Sequence, residues 1–235
     1  MGQALRLAEQ GLYTTDPNPR VGCVIVADGQ TVGQGWHRAT GEAHAEVHAL
    51  QQAGGRAKGA TVYVTLEPCS HHGRTPPCAD ALIAAGVARV VVAMQDPSPK
   101  VAGQGIARLE AAGITVDVGL MSEQAEALNP GFISRFKRGR PYVRCKLAMS
   151  LDGRTAMASG ESKWITSEAS RLDVQKLRAR SSVIVTGIGT VLADDPRMNV
   201  RLDVDVKQPD RVVVDSHLRI PTDAVMLAQQ GVTWL

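Results

Sequence analysis

Residues 61–78 read TVYVTLEPCSHHGRTPPC: a β-branched apolar run, then Pro68-Cys69, and after eight further residues Cys78. Upstream, His44-Ala45-Glu46 opens a stretch of helical spacing. Side chains at the ends of one strand and two helices, all beside a common sheet edge, can converge on one point. One imidazole and two thiolates there can hold a tetrahedral Zn²⁺ and leave the fourth position for water, which is the arrangement of a catalytic zinc site.

Glu46 is suited to proton transfer at this predicted site. It lies two residues after His44, on a different face of the helix, so we expect its carboxylate to reach the water and not the metal. Zinc lowers the pKa of bound water to about 7, and a carboxylate can pass that proton to a ring nitrogen and then to a leaving amine. The pattern His-x-Glu followed by Pro-Cys-x-x-Cys is typical of zinc-dependent base deaminases.

The spacing of the cysteines differs from that pattern, because eight residues separate Cys69 from Cys78 where the short motif has two. This argues against the nucleic-acid editing deaminases that have the short spacing. A zinc deaminase that acts on tRNA or on a free nucleoside is the alternative function. A zinc-stabilised interaction module would need four ligands, and the sequence offers three convincing ones. The remaining alternative is structural: two buried thiols, a histidine that caps a helix and a surface glutamate.

The surrounding sequence predicts an α/β layer fold, because apolar β-branched runs alternate with Ala/Leu-rich stretches of helical period. Asp28-Gly29 predicts a tight hairpin turn. The predicted elements of the first block are a helix ending near residues 9–11, strands 21–27 and 31–36, helix 43–53, strand 61–66, helix 78–85, strand 88–93, helix 103–112 and strand 114–118.

A second block follows the basic Gly/Pro segment Lys137-Arg138-Gly139-Arg140-Pro141, where we place a domain boundary. The two domains are therefore expected at residues 1–140 and 141–235. Because fewer than 100 residues remain for the second block, we interpret it as part of a larger α/β domain. Cys23 and Cys145 are expected in strand cores. The predicted elements of this block are strand 142–148, helix 167–179 and strands 182–186 and 211–215.

Composition excludes several function classes. The chain of 235 residues has 26 Lys+Arg against 23 Asp+Glu, a formal charge of +3, and only 3% aromatic residues, so little supports a nucleic-acid partner. Its apolar stretches are far shorter than the roughly 20 residues that cross a bilayer, and the N-terminus lacks the apolar region of a secretory signal. Four cysteines are too few for a disulfide scaffold. We expect a cytoplasmic protein with no membrane partner.

Three segments carry a resemblance to a known family: Pro17-Asn18-Pro19-Arg20-Val21-Gly22, His44-Ala45-Glu46-Val47-His48-Ala49-Leu50 and the loop between the two cysteines. Together they resemble the bifunctional deaminase-reductases of riboflavin biosynthesis, along the whole chain. The resemblance implies a cytidine-deaminase-like three-layer domain followed by an incomplete dihydrofolate-reductase-like α/β domain. It implies zinc-dependent deamination of 2,5-diamino-6-(5-phosphoribosylamino)pyrimidin-4(3H)-one and NADPH-dependent reduction of its ribosyl group to a ribityl chain.

The resemblance also implies substrate contacts in the first domain. It places Asn18 and His37 at the substrate, and His71 and Arg74 near its phosphate. Arg74 is chemically suited to this role, because a guanidinium pairs with phosphate through two parallel hydrogen bonds. The expected partner is a small pyrimidine that carries a ribose phosphate, and a homo-oligomer is compatible with the sequence.

In the second block, Thr186-Gly187-Ile188-Gly189 follows a predicted strand, at the sheet edge where α/β folds bind phosphorylated ligands. A plain strand-to-helix turn is the alternative for these residues. The resemblance implies NADPH contacts from Ala148, Trp164, Thr190, Asp194 and Ser216. It implies contacts to the ribose phosphate of the substrate from Ser162, Arg178, Met198 and Arg201. Members of the family continue beyond residue 235, so we expect this chain by itself to deaminate and to reduce poorly.

Overall fold

A computed structural model describes residues 1–71, 76–99 and 101–235 and divides the chain into two units, Met1–Tyr142 and Val143–Leu235. In the first unit the order along the chain is helix, two strands, and then alternating helices and strands before a final helix pair. These elements are α1 (Gly2–Glu9), β1 (Gly22–Ala27), β2 (Gln30–Trp36), α2 (Ala45–Ala53), β3 (Thr61–Val64), α3 (Cys78–Ala84), β4 (Arg89–Val92), α4 (Gln104–Ala111), β5 (Thr115–Val118), α5 (Ser122–Leu128) and α6 (Pro130–Arg138).

The predicted strands and helices of this unit are present, with ends that differ by one or two residues. The helix expected to start at residue 43 begins at Ala45, because His44 adopts an extended backbone and caps it. The strand expected to reach residue 66 ends at Val64. Helices α5 and α6 lie in a region for which the sequence analysis predicts no element.

One five-stranded sheet organises the first unit, in the order β2-β1-β3-β4-β5. Strand β1 pairs antiparallel with β2 and with β3, whereas β3, β4 and β5 run parallel. Asp28 and Gly29 make the turn between β1 and β2 with φ of 51° and 75°, which a two-residue hairpin turn requires. Because β3, β4 and β5 are parallel, their carboxyl ends meet at one edge of the sheet.

Helices cover both faces of this sheet. Cys23 and Ile25 of β1 point into a core that also contains buried residues of α2, α3 and α4. Val24, between them, packs on the opposite face against Ala4 and Leu7 of α1, as the two-residue alternation of a strand requires. Helices α5 and α6 join the α1 side. The predicted three-layer α/β architecture is confirmed.

The second unit contains a three-stranded parallel sheet in the order β6-β7-β8. Its core is an apolar cluster that includes Val191, Val213 and Met226. Helix α8 and strand β8 are not among the predicted elements. The elements are α7 (Glu168–Ala179), β6 (Val183–Gly187), α8 (Ile188–Asp194), β7 (Asp210–Val214), a 3-10 helix (Val225–Ala228) and β8 (Thr233–Trp234).

Helix α7 begins one residue after the predicted start, because Ser167 acts as its N-cap. The Ser167 hydroxyl accepts a hydrogen bond from the Ser170 backbone N–H at 3.2 Å, which satisfies one of the unpaired donors of the first turn. Across the described residues, the helices are too short or too polar to cross a membrane.

The prediction of a strand at residues 142–148 is wrong. The segment has no regular secondary structure, and Val143 keeps 78% of its surface exposed. Cys145 is exposed as well, so its expected place in a strand core is also wrong. Apolar alternation reports only which side chains could share a face, whereas a strand forms when a neighbouring strand satisfies its backbone groups. In the described parts of the chain no strand pairs with this segment.

Candidate active site

Three potential metal donors converge at the carboxyl edge of the sheet in the first unit. His44 is the N-cap of α2, Cys69 lies in the loop after β3, and Cys78 is the first residue of α3. The His44 Nδ1 atom is 3.2 Å from Cys78 Sγ and 3.6 Å from Cys69 Sγ. All three donor atoms lie within 4.8 Å of one another. Positions that are 34 residues apart in sequence are thus brought together by the ends of three elements.

The donor set fits a zinc ion. With Zn–N near 2.0–2.1 Å and Zn–S near 2.3 Å, tetrahedral geometry separates nitrogen from sulfur by roughly 3.6 Å, close to both observed distances. Two thiolates with one imidazole are ligands that zinc prefers. Among the described residues, the metal-binding cluster at this edge contains these three side chains and not the Glu46 carboxylate. Three protein ligands are the number found in catalytic zinc sites.

The protonation of the two thiols differs. The pKa of Cys69 is lowered well below its usual range, first by a hydrogen bond from Cys78 and then by one from His44. The same contact raises the pKa of Cys78, and burial raises it further. The pKa of His44 is raised, mainly because it hydrogen-bonds Cys69. One thiolate is therefore already stabilised within the cluster before any cation contributes.

Glu46 lies beside the three donors and is almost completely buried, with 3% of its surface exposed. Burial raises the pKa of its carboxyl to about 7, although the positive charge of His44 acts in the opposite direction. Position 46 is in the first turn of α2, whose N-cap is His44. A carboxyl group whose pKa is near neutrality can both accept and donate a proton at pH 7.

Asn18 and His37 lie next to the donor cluster and contact each other. The Asn18 Nδ2 atom is 3.1 Å from His37 Nε2, and the other ring nitrogen of His37 is 3.2 Å from the Ala43 carbonyl oxygen. The His37 ring meets the His44 ring edge-on, with centroids 5.5 Å apart. Burial lowers the pKa of His37, so the ring is neutral at pH 7. Since a carbonyl only accepts, Nδ1 carries the proton and Nε2 accepts from Asn18.

The structure describes one of the two residues expected near a phosphate. His71 is exposed, in the loop that follows Cys69, and its charge partly offsets the rise that burial causes in the pKa of Asp96. Arg74 lies outside the described residues. The loop backbone is held from helix α4, because Arg108 donates a hydrogen bond to the Ser70 carbonyl at 3.1 Å.

In the second unit, Arg178 and Arg201 both donate hydrogen bonds to Asn199. Arg178 donates a hydrogen bond to the Asn199 carbonyl at 3.0 Å, and Arg201 donates to the Asn199 side-chain oxygen at 2.8 Å. Burial, with the neighbouring Arg201 charge, lowers the pKa of Arg178. Met198 is instead buried in the apolar cluster of the unit. Ser162 is half-buried, in an irregular segment before α7.

The five residues expected at NADPH are spread along the second unit. Thr190 and Asp194 are exposed residues of α8, which starts directly after β6, and Ser216 is exposed just after β7. These three therefore follow the carboxyl ends of two adjacent parallel strands. Ala148 lies in the irregular segment at the start of the unit. Trp164 keeps 70% of its surface exposed, and the Arg171 guanidinium carbon lies 4.5 Å from the centroid of its ring.

Two buried polar residues near the site are not singled out by the sequence analysis. Glu67 lies between β3 and Cys69, and Asn129 lies between α5 and α6. Both make several hydrogen bonds to the backbone of distant segments. A charged residue directly before Pro68-Cys69, at the end of an apolar strand, is the signal that could have pointed to Glu67.

Comparisons with protein families match both units. Residues 1–94 match the cytidine and deoxycytidylate deaminase zinc-binding region, which contains all three donors and Glu46. Residues 141–235 match the RibD C-terminal domain. The two matches together include every site residue predicted from the sequence.

Two relatives match over the whole length of this chain. The riboflavin biosynthesis protein RibD of Escherichia coli strain K12 is 59% identical over 246 residues, which is 100% of this chain and 67% of the relative. The RibD protein of Haemophilus influenzae is 55% identical over 248 residues, which is 100% of this chain and 66% of the relative. The chain thus spans about two thirds of the length of these curated relatives.

Solved structures are similar as well. Acinetobacter baumannii RibD matches with a TM-score of 0.93 and 57% identity, over 96% of this chain and 65% of the other. A diaminohydroxyphosphoribosylaminopyrimidine deaminase/5-amino-6-(5-phosphoribosylamino)uracil reductase from Thermotoga maritima matches with a TM-score of 0.86 and 41% identity, over 92% of this chain and 62% of the other.

Proposed function

The chain belongs to the RibD family of riboflavin biosynthesis proteins, and from that premise we propose that residues 1–140 form a zinc-dependent deaminase domain. Its substrate is 2,5-diamino-6-(5-phosphoribosylamino)pyrimidin-4(3H)-one, from which it removes an amino group as ammonia. The observation that supports this most directly is the convergence of His44, Cys69 and Cys78, with the buried Glu46 beside them. Zinc and NADPH are the cofactors of the family.

In this proposal His44, Cys69 and Cys78 would hold the zinc ion. When bound, the metal would supply Lewis-acid chemistry that activates water for attack on a ring carbon. Glu46 takes the first proton that the attacking water loses and delivers it to the ring nitrogen. It then takes the second proton, from the hydroxyl group on the attacked carbon, and delivers it to the leaving amine, so that ammonia departs as the carbonyl forms. Its pKa of about 7 suits both directions of transfer. Its burial keeps bulk water away from the proton being moved.

Asn18 and His37 orient the pyrimidine. Because the Asn18 amide nitrogen faces His37 Nε2, its side-chain oxygen is left to accept a hydrogen bond from the substrate. His37 in turn is held by the Ala43 carbonyl, so the hydrogen-bond chain fixes which end of the amide is presented. His71 and Arg74 bind the ribose phosphate from the loop between the cysteines.

The test of this function is ammonia release from the diaminopyrimidine substrate. We expect Glu46→Ala to lower kcat by about 10²–10⁴-fold, the usual contribution of a positioned acid-base group, while stoichiometric zinc is retained. Glu110→Gln, an exposed acid on α4, is the matched control and should keep the wild-type rate. Equal rates for wild type and Glu46→Ala would refute the proposal.

For residues 141–235 we propose the N-terminal part of the NADPH-dependent reductase domain. Arg178 and Arg201, which both hydrogen-bond Asn199, support binding of the substrate's ribose phosphate. Ser162 would contribute its hydroxyl, and Met198, whose side chain is buried in the apolar cluster, would contribute only backbone groups. Thr190 and Asp194 belong to α8, which starts directly after β6, and Ser216 follows β7, so all three come after the sheet edge where α/β folds hold nucleotides. With Ala148 and Trp164, they would hold NADPH, which supplies a hydride when bound.

NADPH consumption with the deaminated pyrimidine tests this second activity. Arg178→Ala should weaken binding of the phosphorylated substrate. The cytoplasmic location and the absence of a nucleic-acid partner stay predictions. A titration with tRNA that gave tight, steeply salt-dependent binding would favour the alternative deaminase class.

A further inference from the structure

Glu67 is a buried carboxylate between strand β3 and Cys69. Only 4% of its surface is exposed, yet each of its oxygens accepts two backbone N–H groups. Oε1 accepts from Gly105 at 2.9 Å and Ile106 at 3.3 Å, and Oε2 accepts from Gly103 at 2.9 Å and Asp96 at 3.1 Å. The four donors belong to the loop after β4 and to the first turn of α4.

The chemistry of these four bonds requires a carboxylate. A buried charge is costly unless hydrogen bonds replace its water, and four oriented N–H groups do so. An ionised carboxylate has two acceptor oxygens and no donor, whereas an amide of the same shape has one acceptor and one NH₂ group. Glutamine at position 67 would therefore point N–H bonds at two of the backbone donors. The carboxylate is matched to this environment by its acceptor count and not only by its size.

The same contact holds the backbone of the metal-binding loop. Helix α4 starts so close to Pro68 that a Cβ atom on Gly105 would lie 1.9 Å from the Pro68 carbonyl oxygen. On the other side, the Cys69 carbonyl accepts the Ala79 N–H at 3.1 Å, and Cys69 Sγ accepts the Cys78 N–H at 3.3 Å. Cys69 is thus held between α3, which also carries Cys78, and α4, which is attached through Glu67.

We propose that Glu67 is a positioning residue for the metal centre: its carboxylate fixes the Pro68-Cys69 backbone against α4, so that the Cys69 sulfur stays within reach of His44 and Cys78. The inference rests on the zinc site proposed above. Glu67 does not belong to the donor cluster, and it acts through the backbone of the ligand two residues later. Without the four hydrogen bonds, the Pro68-Cys69 backbone can move, and the Cys69 sulfur is no longer held near His44 and Cys78.

The test is the rate of zinc release to a chromophoric chelator, measured on the full chain loaded with one zinc. We expect Glu67→Gln to release zinc at least about tenfold faster than wild type, the lower end of what outer contacts to metal ligands contribute. Glu67→Asp keeps two acceptor oxygens on a shorter stem and should give a smaller increase. Deamination by Glu67→Gln should show a lower kcat with little change in KM, because Asn18 and His37 are untouched.

Leu109→Ala is the matched control, because Leu109 is fully buried on the same helix α4 and is not one of the four hydrogen-bond donors to the carboxylate. It should destabilise the unit and leave zinc release unchanged. Equal acceleration in Leu109→Ala and both Glu67 variants would mean that Glu67 only supports the fold, which overturns the inference. Wild-type release from both Glu67 variants would overturn it too. If Glu67→Gln does not fold, Glu67→Asp decides. A wild-type chain that binds no zinc would instead refute the zinc site itself.

Discussion

The side-chain amide of Asn129 makes two hydrogen bonds to the backbone of Arg20, as the backbone of a neighbouring β-strand would. Its Oδ1 accepts the Arg20 backbone N–H at 2.8 Å, and its Nδ2 donates to the Arg20 carbonyl at 3.0 Å. Arg20 is two residues after Asn18, so the junction of α5 and α6 holds the loop that carries a proposed substrate contact. The guanidinium of Arg20 adds a hydrogen bond to the Leu128 carbonyl at 3.5 Å, at the same junction, and it also donates to the Leu12 carbonyl at 3.1 Å.

We expect Asn129→Ala to lower the free energy of unfolding of the first unit by about 2 kcal/mol, since two buried hydrogen bonds are lost at roughly 1 kcal/mol each. The KM for the pyrimidine should rise, because the Asn18 loop loosens. Urea unfolding and steady-state ammonia release measure the two effects. Asn129→Asp keeps the acceptor for the Arg20 N–H and should fall between wild type and alanine. Unchanged stability in Asn129→Ala would contradict this account.

Cys78→Ser should abolish stoichiometric zinc binding. Serine replaces a thiolate ligand by a hydroxyl, which zinc binds far less well, and two protein ligands do not make a stable site. Metal content after dialysis, measured by atomic absorption, is the readout. Cys145→Ser provides the control, because Cys145 is exposed in the second unit and should leave the zinc content unchanged. Zinc retained by Cys78→Ser would place the third ligand elsewhere.

The raised pKa of Asp96 predicts a pH dependence of stability. Burial is the main cause that raises this pKa to about 6, and the Glu67 carboxylate and the Cys69 thiolate act in the same direction. The Ser98 N–H and the charge of His71 act in the opposite direction. In the unfolded chain the same group titrates near 3.8. Between these values the folded state holds a proton that the unfolded state has lost. The contribution of Asp96 to the free energy of unfolding therefore falls as the pH rises from about 4 to about 6.

Asp96→Asn removes this titration and keeps an oxygen for the Ser98 N–H, which Asp96 Oδ1 accepts at 2.7 Å. The variant should gain stability relative to wild type as the pH rises through that window, and the difference should level off above about pH 6. Urea unfolding at several pH values measures the difference, with Glu110→Gln, an exposed acid on α4, as the control. A difference that stays constant over the window would show that Asp96 titrates normally.

Arg211 should be essential for the stability of the second unit. It is almost fully buried on β7, and its guanidinium donates to the carbonyls of Gln229, Gln230 and Gly231 and to the Thr233 hydroxyl. Burial lowers its pKa. We expect Arg211→Lys to cost about 2–3 kcal/mol, because lysine lacks the planar fork and leaves buried carbonyls unpaired.

Hydrogen exchange of the β8 amides tests this expectation, since the bonds of Arg211 hold the segment that leads into β8. Protection of Thr233 and Trp234 should be lost in Arg211→Lys. Arg219→Lys, at an exposed position of the same unit, should preserve the protection. Equal protection in both variants would mean that the guanidinium contacts add little.

Features that depend on a few adjacent residues were predictable. Asp28-Gly29 indicates the hairpin because the turn conformation is a local property of those residues. The continuous apolar run of β1 is typical of a strand that is buried on both faces, and Cys23 and Val24 do point to opposite cores. Apolar alternation at residues 142–148 suggested a strand there, which is wrong because pairing is not a local property.

The residues of the motifs were enough to predict the chemistry of the first unit: which donors are available, that they lie at the ends of elements, and that Glu46 stands two residues from a proposed ligand. Which backbone segments surround those groups depends on the tertiary fold. Asn129 meets Arg20 across 109 positions, and Glu67 receives N–H groups from positions up to 39 residues away. Periodicity and motifs describe residues near one another in the chain, whereas hydrogen bonds to a buried side chain depend on which segments folding brings together in space.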